Sequence, residues 1–186
     1  LCFEGPVEVL SRTDISQPAI FVTSLACWAG LTARGVEAPP LAATAGLSLG
    51  EYTALVIAGA MSFEDGLELV ALRGRAMQDA ADSPLARAGG GGGMVALVGA
   101  TDEQALEICE KARGSQVLVC ANYNAPGQVV LSGHKVACDA AGKVAESMGL
   151  RFAILQVAGA FHSPLMAPAA ERLADALRST TIVSPK

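Results

Sequence analysis

Apolar residues follow Ser16 almost without a break in "SQPAIFVTSLACWAGL", a density that predicts a helix. Ser16 is placed to cap it, and Pro18 suits its first turn, where a missing N–H costs little. "GVEAPP" then breaks it. The small-residue run "LAATAG" reads as a short buried strand leading into Ser48, and "LGEYTALVIAGA" as a largely buried helix ending near Gly59. "SFEDGLELVALRGRAMQDAA" predicts a further helix. Ser62 opens it with Asp65 three residues on, an acidic variant of the capping box.

Five consecutive glycines, Gly89 to Gly93, make the clearest break in the pattern. A phosphate cradle would need a following Lys-Ser/Thr and a strand-then-helix frame, and the run has neither. It is therefore expected to be a flexible hinge between lobes. Beyond it the periodicity alternates between strand and helix. "MVALVG" is a strand, and "TDEQALEICEKAR" a helix with Thr101 and Gln104 as its capping box. "VLVCANYN" and "QVVLSG" are strands joined by an "APG" turn, "KVACDAAGKVAESMG" is a helix and "RFAILQVAG" a final strand. The order βαββαβ is that of the ferredoxin-like motif. The expected architecture is thus an α/β core lobe, residues 1–88 and 160–186, with a ferredoxin-like insert over 94–159 and the hinge at 89–93. No internal repeat is present.

Composition narrows the function classes. Of 186 residues 52% are hydrophobic, enough to bury a real core, so disorder is not expected. The formal charge is −5 and the basic residues are scattered, which argues against nucleic acid and against an anionic membrane surface. No apolar run approaches the roughly 20 residues that span a bilayer, and no signal segment opens the chain. The five cysteines are widely spaced with no CxxC pair, and read as free, mostly buried thiols in a reducing compartment. With two histidines a histidine-rich metal site is excluded, and no metal is expected. The chain opens on Leu1 and stops just after "TIVSPK", as a segment of something longer would.

Candidate chemistry centres on "GLSLG", residues 46–50, which matches the nucleophile-elbow pattern G-x-S-x-G. There the serine takes an unfavourable backbone conformation at a strand-to-helix turn. Flanking glycines let the two elements approach, and the hydroxyl stands at a helix N-terminus where N–H groups can hold an oxyanion. A chance match in a glycine-rich chain is the plain alternative. A nucleophilic serine needs a base. His134, in "LSGHKVAC", fits a polar turn residue, whereas His162, in "VAGAFHSPLM", is expected at the mouth between lobes. Elimination favours His162, although a lone histidine in apolar company is more often structural. Arg73 has Leu69, Val70, Ala76 and Met77 three and four residues away, whereas Arg75 lies about 200° around the helix, nearer Glu68, Leu72, Gln78 and Asp79. Arg75 is therefore the solvated arginine and Arg73 points inward. A buried guanidinium needs an anion, either an internal carboxylate or a substrate carboxylate held bidentately, and both stay open.

These segments together, "GLSLGEYTAL", "EDGLELVALRGRAMQ", "GGMVALVG", "ANYNAPGQVVLSGHK" and "GAFHSPLM", resemble in order and spacing the malonyl-CoA:acyl carrier protein transacylases of fatty acid synthesis. The acyltransferase domains of polyketide synthases are a more distant likeness. The resemblance runs from about Ser16 to Leu177. It implies an α/β-hydrolase-like core with a ferredoxin-like insert. It also implies Ser48 as the acylated nucleophile, His162 as its base and later acid, and Arg73 holding the malonyl carboxylate. Leu49 would lend its N–H to the oxyanion hole, and Phe161 would fill the space a methyl branch on the substrate requires. Malonyl-CoA would be the substrate and no cofactor would be needed. The partner would be an acyl carrier protein, and the enzyme a monomer or a module of a larger synthase. The implied location is the cytoplasm, or the plastid in a photosynthetic eukaryote.

The chain departs from the family where Leu47 stands in place of the common histidine. The family's N-terminal "GQG" loop and its C-terminal histidine-orienting residue have no counterpart here. Two rivals make distinct predictions. A serine thioesterase or hydrolase would release free acid to water, and a non-catalytic carrier-protein-binding lobe would bind without acylation.

Overall fold

Each of two compact units is built around a cluster of buried apolar side chains. The computed structural model describes residues 1–34 and 41–185. "GVEAPP", expected to break a helix, lies outside the described residues. The units are Leu1–Ala76 with Glu171–Lys186, and Met77–Ala170.

The first unit is helical. After a short α1 (Val7–Leu10), α2 runs over Thr13–Ala33, α3 over Gly50–Ile57 and α4 over Phe63–Ala81; α8 (Ala167–Ser179) ends in this unit. Phe21, Tyr52, Met61, Leu69 and Val70 form the core, with Leu25, Leu49, Leu173 and Leu177 packed against it. Phe21 is fully buried and stacks on Phe63 at 5.9 Å between ring centroids. Burying such a side chain contributes roughly 1.5–3 kcal/mol.

α2 begins at Thr13 rather than at a Ser16 cap, and Pro18 lies inside it. The Ile15 and Ser16 amides already donate to the Arg12 carbonyl, at 3.0 and 2.7 Å. Packing overrides the local signal here: Thr13, Gln17 and Phe21, spaced four apart, form one buried face and draw the helix upstream of the proline. α2 is also long and apolar enough, by length and composition, to cross a bilayer. This corrects the expectation of no such segment: the helix interleaves its apolar residues with Ser, Thr and Gln.

The strand expected at "LAATAG" does not form. A strand needs a neighbour for its backbone hydrogen bonds, and among the described residues every strand belongs to the sheet of the other unit. Thr44 Oγ1 instead donates to the Ala54 carbonyl at 3.0 Å, tying the segment to α3. α3 itself is half-buried, with Tyr52 alone fully so, and ends as expected ahead of Gly59 at φ +68°. α4 is capped as expected, with Asp65 N–H donating to Ser62 Oγ at 3.0 Å. The Ser62 hydroxyl in turn donates to the Asp65 carboxylate at 2.7 Å.

The second unit holds α5 (Pro84–Ala88), β1 (Gly92–Val98), α6 (Asp102–Arg113), β2 (Leu118–Ala125), β3 (Gln128–His134), α7 (Lys135–Ser147) and β4 (Arg151–Leu155). The strands form an antiparallel sheet in the order β2-β3-β1-β4, with Val95 opposite both Leu131 and Ile154. Val95, Leu97, Val129 and Leu131 pack with Ala105 and Ile108 of α6 and Ala137, Cys138 and Ala141 of α7. The Thr101/Gln104 capping box is present.

The five-glycine run is not a hinge. Gly90 and Gly91 take φ of +80° and +92° in a turn, and Gly92 and Gly93 are strand residues paired with His134 and Gly133. A Cβ on Gly89 would stand 2.3 Å from His134 Cγ. The glycines are there for backbone geometry and close approach, which composition alone could not distinguish from flexibility. Accordingly the second unit extends beyond 94–159, taking in α5 and the segment that carries His162. Of the cysteines, Cys109 and Cys138 are buried, Cys120 is half-buried, and Cys2 and Cys27 are exposed, so the thiols are free but not mostly buried.

Candidate active site

Gly46 and Ser48 set the geometry of the elbow. A Cβ on Gly46 would lie 2.0 Å from the Gly50 carbonyl carbon and 2.5 Å from the Glu51 amide nitrogen, so the chain can double back only without one. The same test at Gly50 meets nothing within 4 Å, so the approach depends on the first glycine and not on both. Ser48 sits at φ +53°, a left-handed conformation costly for a serine. Leu49 returns to φ −59°, the Gly50 amide closes the turn on the Leu47 carbonyl at 2.9 Å, and α3 follows. Among the described residues the Leu49 N–H has no backbone acceptor, as an oxyanion donor at a helix N-terminus requires. Leu47 is 70% exposed and makes no part of this core.

Arg73, one face of α4, is 9% exposed. Its Nη2 donates to Ser48 Oγ at 2.6 Å and its Nη1 donates to Gln17 Oε1. The guanidinium carbon lies 5.9 Å from the centroid of the Tyr52 ring, within cation–π range. Burial lowers the Arg73 pKa, opposed by attraction to Tyr52 and Glu51, and burial likewise raises that of Tyr52. Among the described residues no internal carboxylate hydrogen-bonds Arg73; its hydrogen-bonding partners there, Gln17 and Ser48, are neutral. Arg75, by contrast, is exposed as expected.

His162 and Phe161 belong to the other unit. His162 is exposed at φ +59°. Its conformation is fixed by the next residue: Ser163 Oγ donates to the Ala160 carbonyl at 2.6 Å and accepts from Leu165 N–H at 3.3 Å, opening a 3₁₀ turn. Phe161 is half-buried. Among the described residues Ser48 and His162 are the two non-glycine residues with positive φ, the same two that the sequence offers as nucleophile and base. His134 has a different role. Its Nδ1 accepts from the Val117 N–H at 3.1 Å, so its Nε2 carries the proton and donates to the Leu85 carbonyl at 3.0 Å. It ties α5 to the sheet.

Sequence reasoning missed Gln17 and Tyr52. The signal for Gln17 was its spacing: two polar residues, Thr13 and Gln17, eight and four before Phe21 on a helix otherwise rich in apolar residues.

A half-buried turn serine held in the left-handed region ahead of a helix, with a buried guanidinium on its hydroxyl, has the geometry of a nucleophile elbow. The chain belongs to the acyl transferase domain family, which matches residues 2–186. It is 40% identical over 183 residues to the malonyl CoA-acyl carrier protein transacylase of Salmonella typhimurium, covering 98% of this chain and 57% of that protein. The solved structure of the malonyl-CoA:acyl carrier protein transacylase from Xanthomonas oryzae pv. oryzae is 43% identical with a TM-score of 0.86, over 98% of this chain and 56% of that one. A malonyl-transacylase solved in complex with a type II PKS acyl-carrier protein is 38% identical with a TM-score of 0.85, over 98% and 57% of the two chains. The chain therefore spans a little over half the length of these relatives.

Proposed function

We propose that the whole protein transfers a malonyl group from malonyl-CoA to the phosphopantetheine thiol of an acyl carrier protein, through a malonyl ester on Ser48. The observation that carries this reading is Arg73: a buried cation on the hydroxyl of an elbow serine, with neutral partners that leave its charge to a substrate carboxylate. The relatives named as malonyl transacylases, and the one solved with its carrier protein, support the substrate and the partner.

In this reading His162 takes the Ser48 proton as Oγ attacks the thioester carbon. The oxyanion rests on the Leu49 N–H, the carbon–sulfur bond breaks, and coenzyme A leaves as the thiol with the proton from His162. The carrier thiol then gives its proton to His162 and attacks the ester, and Ser48 is released with that proton restored. No step calls for a cofactor or metal. Arg73 selects malonyl over acetyl, because an acetyl group would leave the buried guanidinium without an anion. Phe161 excludes a methyl branch. The proposed architecture is an α/β-hydrolase-like core lobe with a ferredoxin-like insert, supported for the insert by the strand order β4-β1-β3-β2.

The test is Arg73→Ala, assayed with malonyl-CoA and acetyl-CoA in parallel. Removing one side of a buried ionic contact is expected to lower malonyl transfer on the order of 10²-fold while acetyl transfer falls far less. An unchanged malonyl-to-acetyl preference would remove Arg73 from this role.

A further inference from the structure

We propose that Gln17 is a positioning residue that fixes the Arg73 guanidinium through a neutral acceptor and so keeps its whole charge for the acyl carboxylate. This rests on the reading of Ser48 as nucleophile and Arg73 as carboxylate anchor. Gln17 is 5% exposed and lies in the second turn of α2. Arginine can only donate, so the amide oxygen of Gln17 faces Nη1 and its NH₂ group faces away. That NH₂ donates to the buried Thr13 Oγ1 at 2.9 Å, which holds the amide in this orientation. The helices are close enough for this because Gly74 follows the arginine: a Cβ there would stand 2.9 Å from the Thr13 carbonyl oxygen and 3.0 Å from the Asp14 Cα.

Charge explains why the acceptor is an amide. A carboxylate of the same shape at position 17 would form a salt bridge with Arg73 and compete with the substrate for it. An amide accepts one hydrogen bond, sets the plane of the guanidinium, and neutralises nothing. Nη2 is thereby aimed at Ser48 Oγ, at 2.6 Å. The malonyl carboxylate and the reacting serine are then addressed by one rigid group.

The experiment uses the full-length protein as wild type, Gln17→Glu and Gln17→Met, with initial rates of adduct formation from malonyl-CoA and from acetyl-CoA read by intact mass, alongside thermal melting. Gln17→Glu is isosteric and satisfies Arg73 and Thr13 at least as well, so it is expected to melt no lower than wild type. Its malonyl-to-acetyl rate ratio is nevertheless expected to fall about tenfold or more, and Gln17→Met, which cannot accept, to lose preference as well. A purely structural glutamine would give the opposite result: Glu would behave as wild type, and Met would lower melting temperature and both rates together. A wild-type ratio in Gln17→Glu overturns the proposal. The ratio is internal to each sample, so partial unfolding lowers both rates without moving it. Absence of any malonyl adduct on the wild type would instead overturn the reading of Ser48 and Arg73 on which the proposal stands.

Discussion

Ser48 and His162 share a backbone feature that neither residue type favours, and at each the surrounding chain holds the strain in place: Gly46 lets the elbow close, and Ser163 locks the turn after the histidine. Left-handed residues of this kind cost of order 1–3 kcal/mol each and persist where function requires them. The two histidines separate cleanly on this basis. His162→Ala is expected to abolish acylation of Ser48 in protein that is still folded. His134→Ala, which leaves the Val117 N–H and Leu85 carbonyl unpaired, is expected to destabilise the protein by about 1–3 kcal/mol and leave the acylation chemistry of the folded fraction intact. Denaturant melts and single-turnover adduct formation on both variants check the assignment.

The thiols give a second check among individual residues. Burial pushes the Cys138 thiol from 9.0 up to about 11 and raises that of Cys109. At pH 8, alkylation is expected to reach Cys2 and Cys27 first, with Cys109 and Cys138 modified only on unfolding. Because the folded-state pKa of Cys138 is raised, its contribution to stability is full below pH 9 and fades as pH rises through 11. The denaturation midpoint of wild type relative to Cys138→Ala should therefore drop between those values.

At the scale of elements, the sequence was most legible where one segment carries its own signal. The Ser62 cap, the Thr101 capping box, the "APG" turn and the helices α6 and α7 stand where the pattern put them, although at Ser62 the Asp65 carboxylate accepts from the serine hydroxyl rather than from its backbone N–H. It was least legible where structure depends on a neighbour. "LAATAG" has strand-like composition but no pairing partner among the described residues, and the start of α2 follows a buried face rather than the nearest capping serine. Glycine composition misled at 89–93, since an ordered tight turn and a loose hinge share the same residues. In the elbow the two glycines differ. Gly46→Ala is expected to prevent the turn from closing, with loss of acylation and of stability, because backbone rather than a side chain blocks the added carbon. Gly50→Ala, at the first position of α3 with open space around it, is expected to be neutral or stabilising by up to about 1 kcal/mol. Thermal melting of the pair distinguishes a packing requirement from a sequence habit.

Across the whole molecule, the three side chains chosen from sequence divide between the units. Ser48 and Arg73 meet in the first, at 2.6 Å, and His162 is carried by the second. The arginine was legible as buried from its helical face, but its partners were not, because Gln17 comes from a helix 56 residues away in sequence. The central claim is that Ser48 accepts a malonyl group. The most direct test is intact-mass analysis after brief exposure of the full-length protein and its Ser48→Ala variant to malonyl-CoA. A single malonyl adduct on the wild type, absent from the variant, is the expected result. No adduct on the wild type, or one that survives the loss of Ser48, would contradict the account.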